Sequence, residues 1–86
     1  MKALIFTNDN GPDSRALLEI GSQLEFEKYQ VIYYLWEDEE AARVAELYDI
    51  YSPPAVVVVR DDGSYIECWQ SEIPLLASVR SRVANG

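Results

Sequence analysis

The chain has 86 residues, a length for one domain built around a single core. Its 49% hydrophobic content favours a folded globule over a disordered segment. The formal net charge is −8 with no His, which argues against a nucleic-acid partner and disfavours an anionic membrane surface, since both need basic side chains. The acidity serves solubility, and it also fits a binder of basic segments.

No stretch approaches the ~20 apolar residues of a membrane span. The apolar run at the N-terminus, Ala3–Phe6, is too short for a signal peptide. One Cys cannot form an internal disulfide, so a cytosolic location is the default expectation. No repeat or interdomain linker divides the chain, and residues 1–86 are read as one domain.

Ala3–Phe6 reads as a first strand and Thr7–Pro12 as a polar loop. A helix is predicted from there to about Glu27, with Leu17, Ile20 and Leu24 at helical period and Ala16 and Leu18 beside them. Val31–Leu35 is rich in β-branched and aromatic residues and reads as a second strand. After the acidic break at Trp36–Glu40, Glu39–Tyr48 reads as a second helix. Its apolar face draws on Ala41, Ala42, Val44, Ala45, Leu47 and Tyr48. Pro53 and Pro54 end this pattern, because Pro lacks a backbone N–H. Ala55–Val59 follows, β-branched and short, and reads as a strand buried on both faces. Such a strand requires layers above and below it. Asp62-Gly63 is a two-residue hairpin signal leading into Tyr65–Trp69. A last helix to about Ala84 is expected, capped by Ser71, with Pro74 in its first turn.

The order is thus β-α-β-α-β-β-α, an α/β class. Together with the stretch Tyr48-Asp-Ile-Tyr-Ser-Pro-Pro54-Ala-Val-Val-Val-Val59-Arg-Asp-Asp-Gly63, it resembles the thioredoxin/glutaredoxin-like fold over nearly the whole chain. The family pattern there is Tyr-Gly-Ile-x-x-x-Pro-Thr, then an apolar strand and a turn with Gly. The resemblance implies a four-stranded mixed sheet with helices on both faces and the third strand antiparallel to the others. It also implies that Pro54 takes the place of the family's cis-proline.

The departures decide the chemistry. Where the family has Cys-Gly-Pro-Cys, this chain has Asn10-Gly11-Pro12-Asp13. Thiol–disulfide exchange needs an attacking thiolate, so neither position can perform it. The family's buried Asp in the preceding strand is replaced by Leu4. Asn10 reads instead as the N-cap of the first helix, with Pro12 in the first turn and Asp13 reaching back as in a capping box. Asp9 and Asp13 would repel an anion at that helix start. Cys68 reads as an inert core thiol on the face of Ile66, with no adjoining cation to lower its pKa.

Strand directions bring Asn8–Pro12, Trp36–Asp38, Tyr51–Pro54 and Trp69–Ser71 to one end of the sheet, the end where ligands of open α/β sheets bind. Asn10, Trp36, Tyr51, Pro53, Pro54, Trp69 and Gln70 are therefore the candidate binding residues, for a protein or peptide partner. Both Trp side chains also fit as the finish of the core. Pro53 has no N–H, so one of the two backbone bonds the family makes to glutathione or peptide cannot form, and glutathione binding is expected to be weak or absent. No catalytic residue, cofactor or metal is expected. The expectation is a redox-inactive binding or assembly module. The alternative is an oxidoreductase or glutathione-linked enzyme working through Cys68 or the Asn10 region.

Overall fold

A computed structural model describes residues 1–8 and 13–85. Four strands form one mixed sheet: β1 (Lys2–Thr7), β2 (Gln30–Leu35), β3 (Ala55–Val59) and β4 (Tyr65–Gln70), in the order β2-β1-β3-β4. β1 and β2 are parallel, and β3 runs antiparallel to both β1 and β4. Three helices cover the sheet: α1 (Ser14–Phe26), α2 (Glu39–Leu47) and α3 (Leu76–Asn85). All five residues of β3 are buried, because a central strand in a three-layer fold has no solvent face.

Strand alternation splits the core in two. On one face Ala3, Ile5, Val56 and Val58 pack against Leu17, Ile20 and Leu24 of α1 and Val79 and Val83 of α3. On the other, Leu4, Phe6, Val57 and Val59 pack against Ala41 and Ala45 of α2 and against Ile50. The i, i+3, i+4 and i+7 spacing of the buried α1 residues gives that helix its single apolar stripe. Ala42 and Leu47, expected on the apolar face of α2, are both exposed. The face that packs on the sheet is Ala41, Val44, Ala45 and Tyr48, at helical spacing.

Two helices end in the same way without glycine. The Tyr29 N–H donates to the Leu24 carbonyl (3.0 Å) and the Lys28 N–H to Glu25 (2.9 Å), with Lys28 at φ 75°. In α2 the Ile50 N–H donates to Ala45 (2.8 Å) and Asp49 to Glu46 (3.3 Å), with Asp49 at φ 58°. Both are Schellman motifs, which satisfy carbonyls the helix end leaves free. Buried Ile50 locks the second onto the core.

Several expectations are corrected. α3 begins at Leu76, not after Ser71. The Ser71 N–H is taken by the Pro54 carbonyl at 2.8 Å, which extends the β3–β4 pairing, and Ile73 precedes a proline and so disfavours helical φ/ψ. Pro74 is buried ahead of the helix. The hairpin loop has three residues, Asp61–Gly63, closed by Gly63 N–H to Arg60 (2.8 Å) and Arg60 N–H to Ser64 (2.9 Å). Gly63 supplies the left-handed φ of 92° that this loop needs. The register then shifts between Val58 and Val59. This bulge puts Ile66 on the α1/α3 face and Cys68 on the α2 face, not on one face as alternation predicted. The regular turns of α1 begin at Ser14, and Asp13 occupies the N-cap position without a side-chain cap bond. The expected caps at Asn10 and Pro12 lie outside the described residues.

Candidate functional site at the Pro54 end of the sheet

The C-terminal ends of β1, β2 and β4 and the start of β3 meet at one end of the sheet. Backbone bonds knit them together. The Trp36 N–H donates to the Thr7 carbonyl (2.9 Å), tying the end of β2 to the end of β1. The Ser52 and Ser71 hydroxyls share a bond of 2.7 Å. The Gln70 side chain serves the loop before β3 at both ends. Its Oε1 accepts from the Tyr51 N–H (2.5 Å) and its Nε2 donates to the Asp49 carbonyl (3.3 Å). Gln70 is thus a positioning residue for the loop that carries Tyr51, Pro53 and Pro54.

The Pro53–Pro54 peptide bond is cis. Beside it, Thr7, Asn8, Asp13, Ser14, Leu17 and both prolines line a cavity of about 70 Å³, room for little more than water. Pro54 therefore lies against the start of α1. Asn10 itself lies outside the described residues.

The two Trp residues reach this end but not one surface. Trp36 continues the α2 face of β2, packing edge-on to Phe6 with ring centroids 6.2 Å apart. Phe6 in turn stacks on Tyr34 at 5.1 Å. Trp69 pairs with Val56 on the opposite face and lies in a shallow groove with Ala77, Ser78 and Arg82 of α3. Both Trp side chains are half-buried.

The α2 side holds a recess more apolar than the Trp69 groove. Trp36, Ala42, Ala45, Ile50 and Tyr51 line a groove of about 280 Å³, with Glu46 and Asp49 on its rim. Tyr51 is 78% exposed, and Leu47 beside it 73%. Residues 36–51 carry six carboxylates and one Arg, a net −5 of the chain's −8. Alternation alone hid Ile50 and Asp49 as lining residues, because neither lies in a strand. The helix-end motif that places them has no glycine to announce it.

Cys68 sits on the α2 face as well, half-buried in a neighbouring groove with Tyr48, Tyr51, Tyr65 and Gln70. Burial, reinforced by the Glu67 carboxylate, pushes its thiol pKa up. A raised pKa lowers the thiolate fraction and with it the reactivity.

Among the described residues, no helix is long and apolar enough to cross a membrane. Comparison of the sequence with protein-family models and with curated proteins finds no match.

Proposed function

We propose that the chain is a thioredoxin-fold binding module without dithiol chemistry, and that it holds a protein segment in the Trp36–Tyr51 groove beside Pro54. The strand order, the antiparallel β3, the helices on both faces and the seat of Pro54 against the start of α1 support the family assignment. Asp49 stands where the resembling motif has Gly, and its positive φ is one that Asp tolerates better than most residues.

The observation that carries the binding proposal is the groove itself. An exposed Tyr and a half-buried Trp flank an apolar floor with the Glu46 and Asp49 carboxylates on its rim. Tyr and Trp are the residues that most often anchor a partner. The acidic rim selects a partner segment in which basic residues flank an apolar side chain. Pro53 can accept a hydrogen bond from such a segment but cannot donate one. The only thiol in the chain is Cys68, whose raised pKa opposes redox work.

The test is a fluorescence titration with two synthetic peptides, one with Leu flanked by Arg residues and one with Leu flanked by Glu. The Arg peptide is expected to bind and the Glu peptide not. Tyr51→Ala is expected to weaken the Arg peptide about tenfold or more, with Trp69→Ala nearly neutral. Equal affinity for both peptides, or sensitivity to Trp69 alone, would refute the assignment.

A further inference from the structure

The two edges of the sheet are built differently. β4 carries a bulge, a charged Glu67 and an ion pair from Glu67 to Arg82 (3.5 Å), devices that discourage further pairing. β2 has none of them. Gln30–Leu35 contains no charge and no Pro, and it pairs with β1 in an unbroken parallel register.

Its free groups can be identified. The Trp36 N–H bonds to β1, so in a parallel ladder Tyr34 and Ile32 also turn their backbones inward. Val31, Tyr33 and Leu35 then turn theirs outward. The Leu35 carbonyl already accepts from the Asp38 N–H at 2.9 Å. What stays unbonded, among the described residues, is the N–H and C=O of Val31, the N–H and C=O of Tyr33, and the N–H of Leu35. Beside this edge the α1 face leaves Leu18 50%, Tyr33 38% and Leu35 42% exposed.

We infer that β2 pairs antiparallel with β2 of a second copy of this chain, making one continuous eight-stranded sheet. A dyad at Ile32 sets Val31 opposite Tyr33 of the other copy and Tyr33 opposite Val31. Each such pair exchanges two backbone bonds, and all four free groups of these residues are satisfied by the same four across the dyad. Charge selects this direction. Lys28 precedes the strand, and Glu37 and Asp38 follow it, all exposed. Antiparallel pairing brings each Lys28 alongside the partner's acidic turn, whereas parallel pairing would set like charges together. On a chain of net charge −8, this strand also brings no carboxylate of its own against the second copy.

The experiment is sedimentation equilibrium of the full chain over rising concentration. A dimer is expected. Leu35→Lys alters an exposed residue and is expected to return the chain to monomer with its circular dichroism unchanged. Lys28→Glu is expected to raise the dissociation constant roughly tenfold, and adding Glu37→Lys to recover most of that loss. A native chain that stays monomeric at every concentration overturns the proposal. So does a dimer that neither variant weakens, which would place the contact elsewhere. A monomer whose β2 amides gain exchange protection only when a different protein binds would give the edge to that protein and equally overturn pairing of copies.

Discussion

The side chain of Tyr33 lies across Gly21 of α1, with its hydroxyl donated to Glu25 at 3.0 Å. A Cβ on Gly21 would stand 2.2 Å from that hydroxyl and 2.8 Å from the ring. The glycine is therefore a seat for the ring, in the middle of a helix that would otherwise prefer Ala. Gly21→Ala should gain about 0.5–1 kcal/mol of helix preference and lose the seated ring. In the native chain the two effects should nearly cancel. With Tyr33→Ala already present, Gly21→Ala should stabilise by the full propensity term. Urea unfolding of the four proteins of this cycle measures the coupling.

Burial first, and then the bond to Glu25, push the Tyr33 hydroxyl up to a pKa of about 12 from an ordinary 10. The neutral form is thus favoured in the folded chain. Its stabilising contribution is complete below pH 10 and is lost as pH rises through about 12. Tyr33→Phe should flatten the alkaline limb of stability, and the difference ultraviolet titration of the two proteins should show one late-titrating phenol.

Glu27 and Arg80 join α1 to α3 by paired bonds, Nε to Oε1 at 2.8 Å and Nη2 to Oε2 at 2.7 Å. The Arg80 guanidinium, helped by Gln23, holds the Glu27 carboxyl below its ordinary value of 4.5. A depressed carboxylate stabilises above that value, and the contribution is lost as pH falls through the folded-state pKa. Arg80→Gln should make stability less sensitive to acid below about pH 4.5. An unchanged acid limb would show that the pair contributes nothing to folding.

Phe6 is fully buried and meets Trp36 edge-on. Replacing it by Leu keeps the site apolar but removes a stacked and an edge-on ring contact. The expected cost is about 1–3 kcal/mol in urea unfolding, with a blue-to-red shift of Trp emission as Trp36 loosens. A cost below about 0.5 kcal/mol would mean that Trp36 is held by other contacts.

Asp49 adopts a left-handed conformation at the end of α2 without a glycine. Asp49→Gly should stabilise by about 0.5–1 kcal/mol, the relief of the left-handed cost less the added freedom of the unfolded chain. It should also weaken the Arg-flanked peptide, because it removes a rim carboxylate. Thermal unfolding and the peptide titration separate the two effects.

The seven elements were legible because each carries its own period or composition: the valines of β3, the helical spacing of Leu17, Ile20 and Leu24, the turn residues before β4. What the sequence left hidden is parity. β3 is buried on both faces, so nothing in its valines tells which side each one serves. Trp36 and Trp69 could be brought to one end by strand direction but not sorted between faces. The bulge at Val58–Val59 reversed the expected companionship of Cys68 and Ile66 for the same reason, since a register shift is a tertiary event with no local residue signature. Ser71 had the composition of a helix cap, but its N–H pairs across the sheet with Pro54 instead.

The most direct measurement is a map of backbone amide shifts while the full chain is titrated with the Arg-flanked peptide. Shifts gathered at Trp36, Ala42, Glu46 and Asp49–Ser52 are the expected result. Shifts gathered at Trp69 and Ala77–Arg82 on the other face, or none at saturation with the peptide, would contradict a binding groove on the α2 side.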